Sequence, residues 1–139
     1  MTIFGNLSRY NDSGRLALRL ILAVIFLAHA QLKFGTWGMQ PTDQFPAAML
    51  YIARALSILE PLAALSLVLG LLTPETNLSI GAFMLAVIYV KISVWHAGFI
   101  GEQGTGWEFD LAVLGGALTL LFGGAGKYSL DYRRTQVQK

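Results

Sequence analysis

The sequence predicts an all-α integral membrane protein, a four-helix bundle whose four transmembrane helices leave both termini in the cytoplasm. Three observations carry that expectation. Apolar and aromatic residues make up 55% of the 139 residues, 13% are charged, and the mean hydropathy is +0.57. A soluble domain carries about 25% charged residues, and a small one needs them because much of it is surface. The apolar residues gather into four stretches, 14–34, 47–72, 78–95 and 107–122, each close to the ~20 residues that cross a bilayer. Finally, Lys and Arg sit mainly at the two ends. Arg9, Arg15 and Arg19 flank the first stretch, and Lys127, Arg133, Arg134 and Lys139 follow the last. No Lys or Arg lies between Phe34 and Pro46 or between Ala97 and Gly106. The positive-inside rule then puts both ends in the cytoplasm and the loops around Gln40 and Gln103 outside, which requires an even number of spans.

The first stretch carries Arg15, Arg19, Phe26, His29 and Lys33 within a sector of roughly 80° at 100° per residue. Arg15 and Arg19 read as anchors at the inner leaflet, and Lys33 as a side chain that snorkels outward. His29 lies one turn deeper and is harder to explain that way. A competing reading takes Arg15, Arg19 and the apolar run up to Ala28-His29-Ala30 as a cleaved signal peptide, which would leave three spans. Against it, the charged leader is long and the apolar run continues toward Phe34. Intact mass separates the two.

The second stretch has Arg54 near its outer end and Glu60 near mid-membrane, followed by Pro61. An ionised, unpartnered carboxylate at that depth is expensive, so Glu60 is either part of a site or an interhelical clamp. In the third stretch Tyr89, Ser93 and His96 share a face and Lys91 points nearly opposite, where snorkelling is an equal alternative. The fourth opens with Trp107-Glu108-Phe109-Asp110. Its small-residue face of Ala112, Gly115 and Thr119 is expected to pack inward and carry Glu108 with it, leaving Asp110 solvated near the headgroups. Trp37, Trp95 and Trp107 fall at the outer interface, and Tyr10, Tyr128 and Tyr132 at the inner one.

Several function classes drop out. Without cysteine the chain has no disulfide, catalytic thiol, iron–sulfur ligation or Cys-based zinc site. The net charge of +2 is not clustered as a nucleic-acid footprint would be, and no nucleic acid is expected as a partner. No phosphate loop, dinucleotide fingerprint, nucleophile elbow or metal-ligand spacing occurs. A haem between His29 and His96 is disfavoured because the two differ in depth by about a turn, and no tightly bound metal, haem or flavin is expected. What remains is a mixed-sign group in the outer half, His29, Lys33, Arg54, Lys91, His96 and Glu108, with Glu60 below and Phe26, Tyr51, Tyr89 and Phe109 as neighbouring aromatics. Such a cluster suits a small anion or a quinone headgroup.

The tail Gly124-Ala125-Gly126-Lys127-Tyr128-Ser129-Leu130-Asp131 matches G-P-G-R-[YW]-S-L-D, with Ala125 for Pro and Lys127 for Arg. Arg15-Leu16 and His29 with Lys33 match R-L…H-G-x-x-K, with Ala30 for Gly. Glu60 with Gly70-Leu71 matches E…G-L, although Ala63 and Ala64 stand where glycines are frequent, and Gly106-Trp107-Glu108 matches an acidic start to the fourth helix. On these motifs the sequence resembles the DoxX family of small four-helix membrane proteins. The resemblance covers roughly residues 14–131, leaving 1–13 and 132–139 as cytoplasmic segments, and agrees with a retained first helix. It implies a multi-pass protein of a bacterial or archaeal inner membrane with a respiratory or redox-linked role, since some relatives are membrane subunits of thiosulfate:quinone oxidoreductase. Other relatives act as assembly factors, and many have no assigned activity.

Two functions follow. In the first, the chain is a membrane subunit of a quinone-linked oxidoreductase. Glu60, Glu108 and His29 handle protons, while Lys33, Arg54, Lys91, Tyr89 and His96 bind the headgroup, with quinone as substrate rather than resident cofactor. In the second, it is a non-catalytic partner or assembly protein whose polar residues clamp the bundle. A redox protein or a second copy of the chain is the expected partner within the bilayer.

Overall fold

The computed structural model describes residues 10–101, 104 and 106–137; Arg9, Gln103 and Lys139, used above for orientation, lie outside them. All secondary structure in the described residues is helical. α1 spans Asn11–Phe34 and runs into a 3₁₀ turn, Gly35–Gly38; α2 spans Ala47–Leu69, α3 Thr73–Ser93, α4 Trp107–Gly123 and α5 Leu130–Val137. Three of these, α1 to α3, are long and apolar enough to cross a membrane. α4 has 17 residues and rises ~25 Å, short of the ~30 Å hydrocarbon core.

Two boundaries differ from expectation. The expected break at 73–77 is instead the first turn of α3, and the α2–α3 connection shrinks to Gly70–Leu72. Pro74 fits there because the first turn of a helix leaves its N–H groups without intrahelical partners. Gly70 (φ +62°) and Leu72 (φ +52°) reverse the chain in the left-handed region. A Cβ on Gly70 would collide with Ser129 and lie 2.7 Å from the Arg19 guanidinium, so the turn needs glycine for both conformation and space. α5 has no counterpart in the sequence reading.

The tail is tied into this turn. Asp131 accepts hydrogen bonds from the Leu72 and Thr73 backbone N–H groups at 3.0 and 2.8 Å, capping α3 from a distant part of the chain. Its own N–H donates to the Gly70 carbonyl at 3.0 Å. Asp131→Ala should therefore lower stability by about 1–2 kcal/mol, the upper range for a lost acidic cap. Thermal unfolding in detergent measures it; an unchanged Tm would remove the capping role.

Arg19 corrects the reading of an inner-leaflet anchor. Its side chain is fully buried. Nε donates to the Leu67 carbonyl (2.7 Å), Nη2 to Val68 (2.7 Å), and Nη1 to Ala125 (3.0 Å) and Tyr128 (2.9 Å). Leu67 and Val68 belong to the last turn of α2, whose carbonyls lack intrahelical donors and attract cations. The guanidinium fork thus joins α1, the end of α2 and the tail. Arg15 fits the anchor reading better: it is part-exposed and sits 3.7 Å from Asp12.

The core is built from Leu22, Phe26, Leu67, Ile80, Met84, Val113, Leu114 and Leu120, with Ala23, Ala64 and Ala117 where backbones approach. α1 packs mainly on α2 and α3 mainly on α4; the two hairpins touch each other far less. The buried face of α4 is Asp110, Val113, Leu114, Ala117 and Leu120, and the stripe of Ala112, Gly115 and Thr119 is exposed, the reverse of expectation. Within lipid there is little hydrophobic drive between helices, so interdigitating bulk outweighs small size alone. The outward surface is apolar, with Ile21, Val24, Leu62, Leu78, Leu85 and Phe122 all exposed. A contiguous apolar belt of this kind belongs in lipid.

Candidate functional site

The end of the bundle away from the tail holds a second group of polar residues. Arg54 donates to the Thr36 carbonyl through Nε (3.2 Å) and Nη2 (3.1 Å), and to Met39 through Nη2 (2.7 Å). Trp37 Nε1 donates to the buried Ser57 hydroxyl at 3.0 Å. Together they pin the 3₁₀ turn onto α2. Arg54 is therefore engaged with backbone, and the structure does not bring it to the ion pairs described next.

Two ion pairs line one cavity of about 310 Å³. Lys33 Nζ on α1 lies 2.9 and 3.0 Å from the two carboxylate oxygens of Glu60 on α2. Lys91 Nζ on α3 lies 2.6 Å from Asp110 Oδ2 on α4 and 3.0 Å from the Gly106 carbonyl. Each hairpin thus contributes one lysine and one carboxylate. Glu60 and Asp110 are nearly inaccessible, at 4% and 6%, so their charges depend on the lysines. His29 and Phe109 also line the cavity and stack with ring centroids 5.7 Å apart and planes 15° apart. Phe26, Phe83 and Met84 supply apolar wall.

Of the residues singled out from sequence, Glu60, His29, Lys33 and Lys91 come together here. Tyr89 is 67% exposed and His96, at φ +50°, is also exposed; neither reaches the cavity. Lys91 lies opposite Tyr89 on α3, so its turning inward carries Tyr89 outward, whereas His96 lies past the end of α3, where the helical face expected from sequence no longer continues. Glu108 is half-buried beside Gly106, with a buried Oε2 that has no hydrogen-bond partner among the described residues, and is not part of the cavity wall. Of the expected aromatics, Tyr51 faces outward.

Asp110 is the residue that sequence reasoning missed, and the expectation that it is solvated is overturned by its burial and its bond to Lys91. The signal was present: Asp110 precedes Val113, Leu114 and Ala117 by three, four and seven residues, the spacing of a single helix face. Among the described residues no group of three or more His, Asp or Glu is placed to hold a metal ion.

A family model described as DoxX matches residues 14–95. The chain belongs to the DoxX family. No curated protein and no solved structure matches it. The DoxX match takes in α1 to α3 and with them His29, Lys33, Glu60 and Lys91; Asp110, α4 and the tail lie beyond it. Family and apolar helices together make this DoxX chain an integral membrane protein in contact with the lipid bilayer.

Proposed function

We propose that the chain is the membrane subunit of a quinone-linked oxidoreductase system of the inner membrane, and that the cavity between the two ion pairs receives a quinone headgroup. The observation that carries this reading is the convergence of Lys33–Glu60 and Lys91–Asp110 on one cavity, beside His29 and Phe109. At about 310 Å³ it lies at the lower end of ligand-sized pockets, with apolar walls and a few converging polar groups. Reducing a quinone to a quinol takes two electrons and two protons. A redox protein partner supplies the electrons. The lysine ammonium groups stabilise negative charge growing on the quinone oxygens, and Glu60, Asp110 and His29 relay the protons. Glu108, with its unpartnered oxygen, stands outside this group as a proton-carrying residue toward the loop. A small anion held between the lysines is the alternative ligand.

The test is binding of a tailless benzoquinone to purified protein, followed by Trp fluorescence or calorimetry. Wild type should bind it, and Lys33→Met and Lys91→Met should each weaken binding at least tenfold. Competition by a simple anion instead of quinone would favour the anion reading. One observation favours a purely structural role: each buried carboxylate already has its lysine, which is all a clamp requires. That reading expects a stoichiometric protein partner and no small-molecule binding.

In this proposal α4 spans together with α1 to α3, and both termini face the cytoplasm. Reporter fusions at the two ends should read the same, cytoplasmic side, with a fusion near Gln40 on the opposite one. Ends that report opposite sides would remove the four-span topology.

A further inference from the structure

The two hairpins leave a second cavity where α2 faces α3, of about 600 Å³ and lined mainly by apolar side chains. α2 and α3 are consecutive and joined by a three-residue turn, yet they pack on each other only sparsely. Leu59, Leu62 and Leu65 on its wall are more than half exposed, so the space is a cleft open sideways to lipid. It shares Phe26, Glu60 and Phe83 with the ion-pair cavity, so the two adjoin along these side chains, with Glu60 on the wall of both.

The polarity of the cleft is one-sided. At the end near the α2–α3 turn, the hydroxyls of Ser66 and Thr76 bond each other at 2.6 Å, and Ser66 also donates to the Leu71 carbonyl. Those groups are satisfied within the protein and offer nothing to a polar ligand. Among the described residues, the charged one on this wall is Glu60. A ligand that fills both volumes has a polar head at the ion pairs and an apolar chain in the cleft.

Chemistry selects among amphipathic ligands. Lys33, Lys91 and Asp110 lie within about a turn of the ends of α1, α3 and α4, so the head site is near one end of these helices. Each lysine there already has its carboxylate, and the paired charges leave no excess positive charge to call for a phosphate. A quinone has a single uncharged ring and one chain, which suits a cavity of about 310 Å³ beside one apolar cleft. We infer that the α2–α3 cleft is the lateral access path and chain-binding groove for the isoprenoid tail of a membrane quinone whose headgroup lies at Lys33–Glu60 and Lys91–Asp110. This rests on the headgroup reading above and adds where the rest of the ligand lies.

The experiment compares a tailless dimethoxy-methyl-benzoquinone with the same ring carrying a decyl chain. Binding is measured on protein in nanodiscs, with empty nanodiscs used to correct for partition into lipid. At equal concentration in the bilayer, wild type should hold the decyl compound at least tenfold more tightly. Lipid already solvates the chain, so this difference reports contacts made in the groove. Leu69→Trp and Ser79→Phe narrow the cleft at positions that do not line the ion-pair cavity. Each should bring decyl affinity down to the tailless value and leave tailless affinity unchanged, which also shows that the variant is folded. Ser79 is exposed, so its replacement disturbs packing least. Equal affinity for both compounds in wild type, or fillers that change neither, would overturn the groove while the headgroup site stands. Binding of neither compound would overturn the headgroup reading and the groove with it. Loss of a co-purified phospholipid in the fillers, with decyl affinity intact, would make the cleft a lipid site and overturn the inference.

Discussion

Replacing Arg19 with leucine is expected to destabilise the protein by more than about 4 kcal/mol, enough to abolish accumulation of folded protein in many small domains. The size follows from what the guanidinium holds. Its four hydrogen bonds all end on backbone carbonyls, and bonds to charged groups contribute about 1.5–3 kcal/mol each. Leucine fills part of the volume but leaves four acceptors facing it, two of them in the last turn of α2. Arg19→Lys should fall between, because a single ammonium group cannot reproduce a fork that reaches three parts of the chain. Thermal unfolding in detergent and the yield of monodisperse protein read the series. An Arg19→Leu variant with wild-type Tm would show that the carbonyls find other donors.

The second large effect belongs to the ion pairs. Removing one partner of a buried pair costs about 3–5 kcal/mol, because the other charge is left behind in a poor solvent. Lys91–Asp110 is the more buried pair, with side chains 12% and 9% exposed against 23% and 5% for Lys33–Glu60. Asp110→Asn should therefore destabilise more than Glu60→Gln, whose lysine reaches water more easily. The double change Lys91→Met with Asp110→Leu should recover most of the loss, since an apolar pair of similar volume leaves no charge stranded. Stability and ligand binding separate under this design. A refolded, stable double variant that still bound quinone would take Lys91 and Asp110 out of the binding site. Loss of binding in a stable double variant is the expected result.

The helices were legible because their signal is long-range and redundant: apolar runs near the length of a span, broken by Gly-rich or Pro-containing turns. Glu60 was legible too, since a lone carboxylate among Leu, Ile and Ala demands a partner wherever it points. The failures arise where a decision depends on one rotation or on a distant segment. Glu108 and Asp110 are two residues apart and so about 200° apart on α4; choosing the small-residue stripe as the inner face turned Asp110 the wrong way and put it in solvent. Arg19 was read by its nearness to the chain terminus, but its partners come from residues 67–68 and 125–128, which no local pattern connects. Asp131 lies in the tail motif quoted from sequence, yet its bonds to Leu72 and Thr73 belong to a turn first assigned to a helix end.

The Arg19 knot also has a consequence for biosynthesis. During translation α1 precedes its tail partners, since Ala125 and Tyr128 follow Arg19 by 106 and 109 residues. Until those residues emerge, a cation destined for the interior has only half of its acceptors, and the nascent first helix must keep it among headgroups or water. A segment made more than a hundred residues later therefore completes the acceptor set that draws Arg19 inward. A ribosome that stalls before residue 125 leaves a chain with α1 to α4 made and Arg19 holding two of its four acceptors.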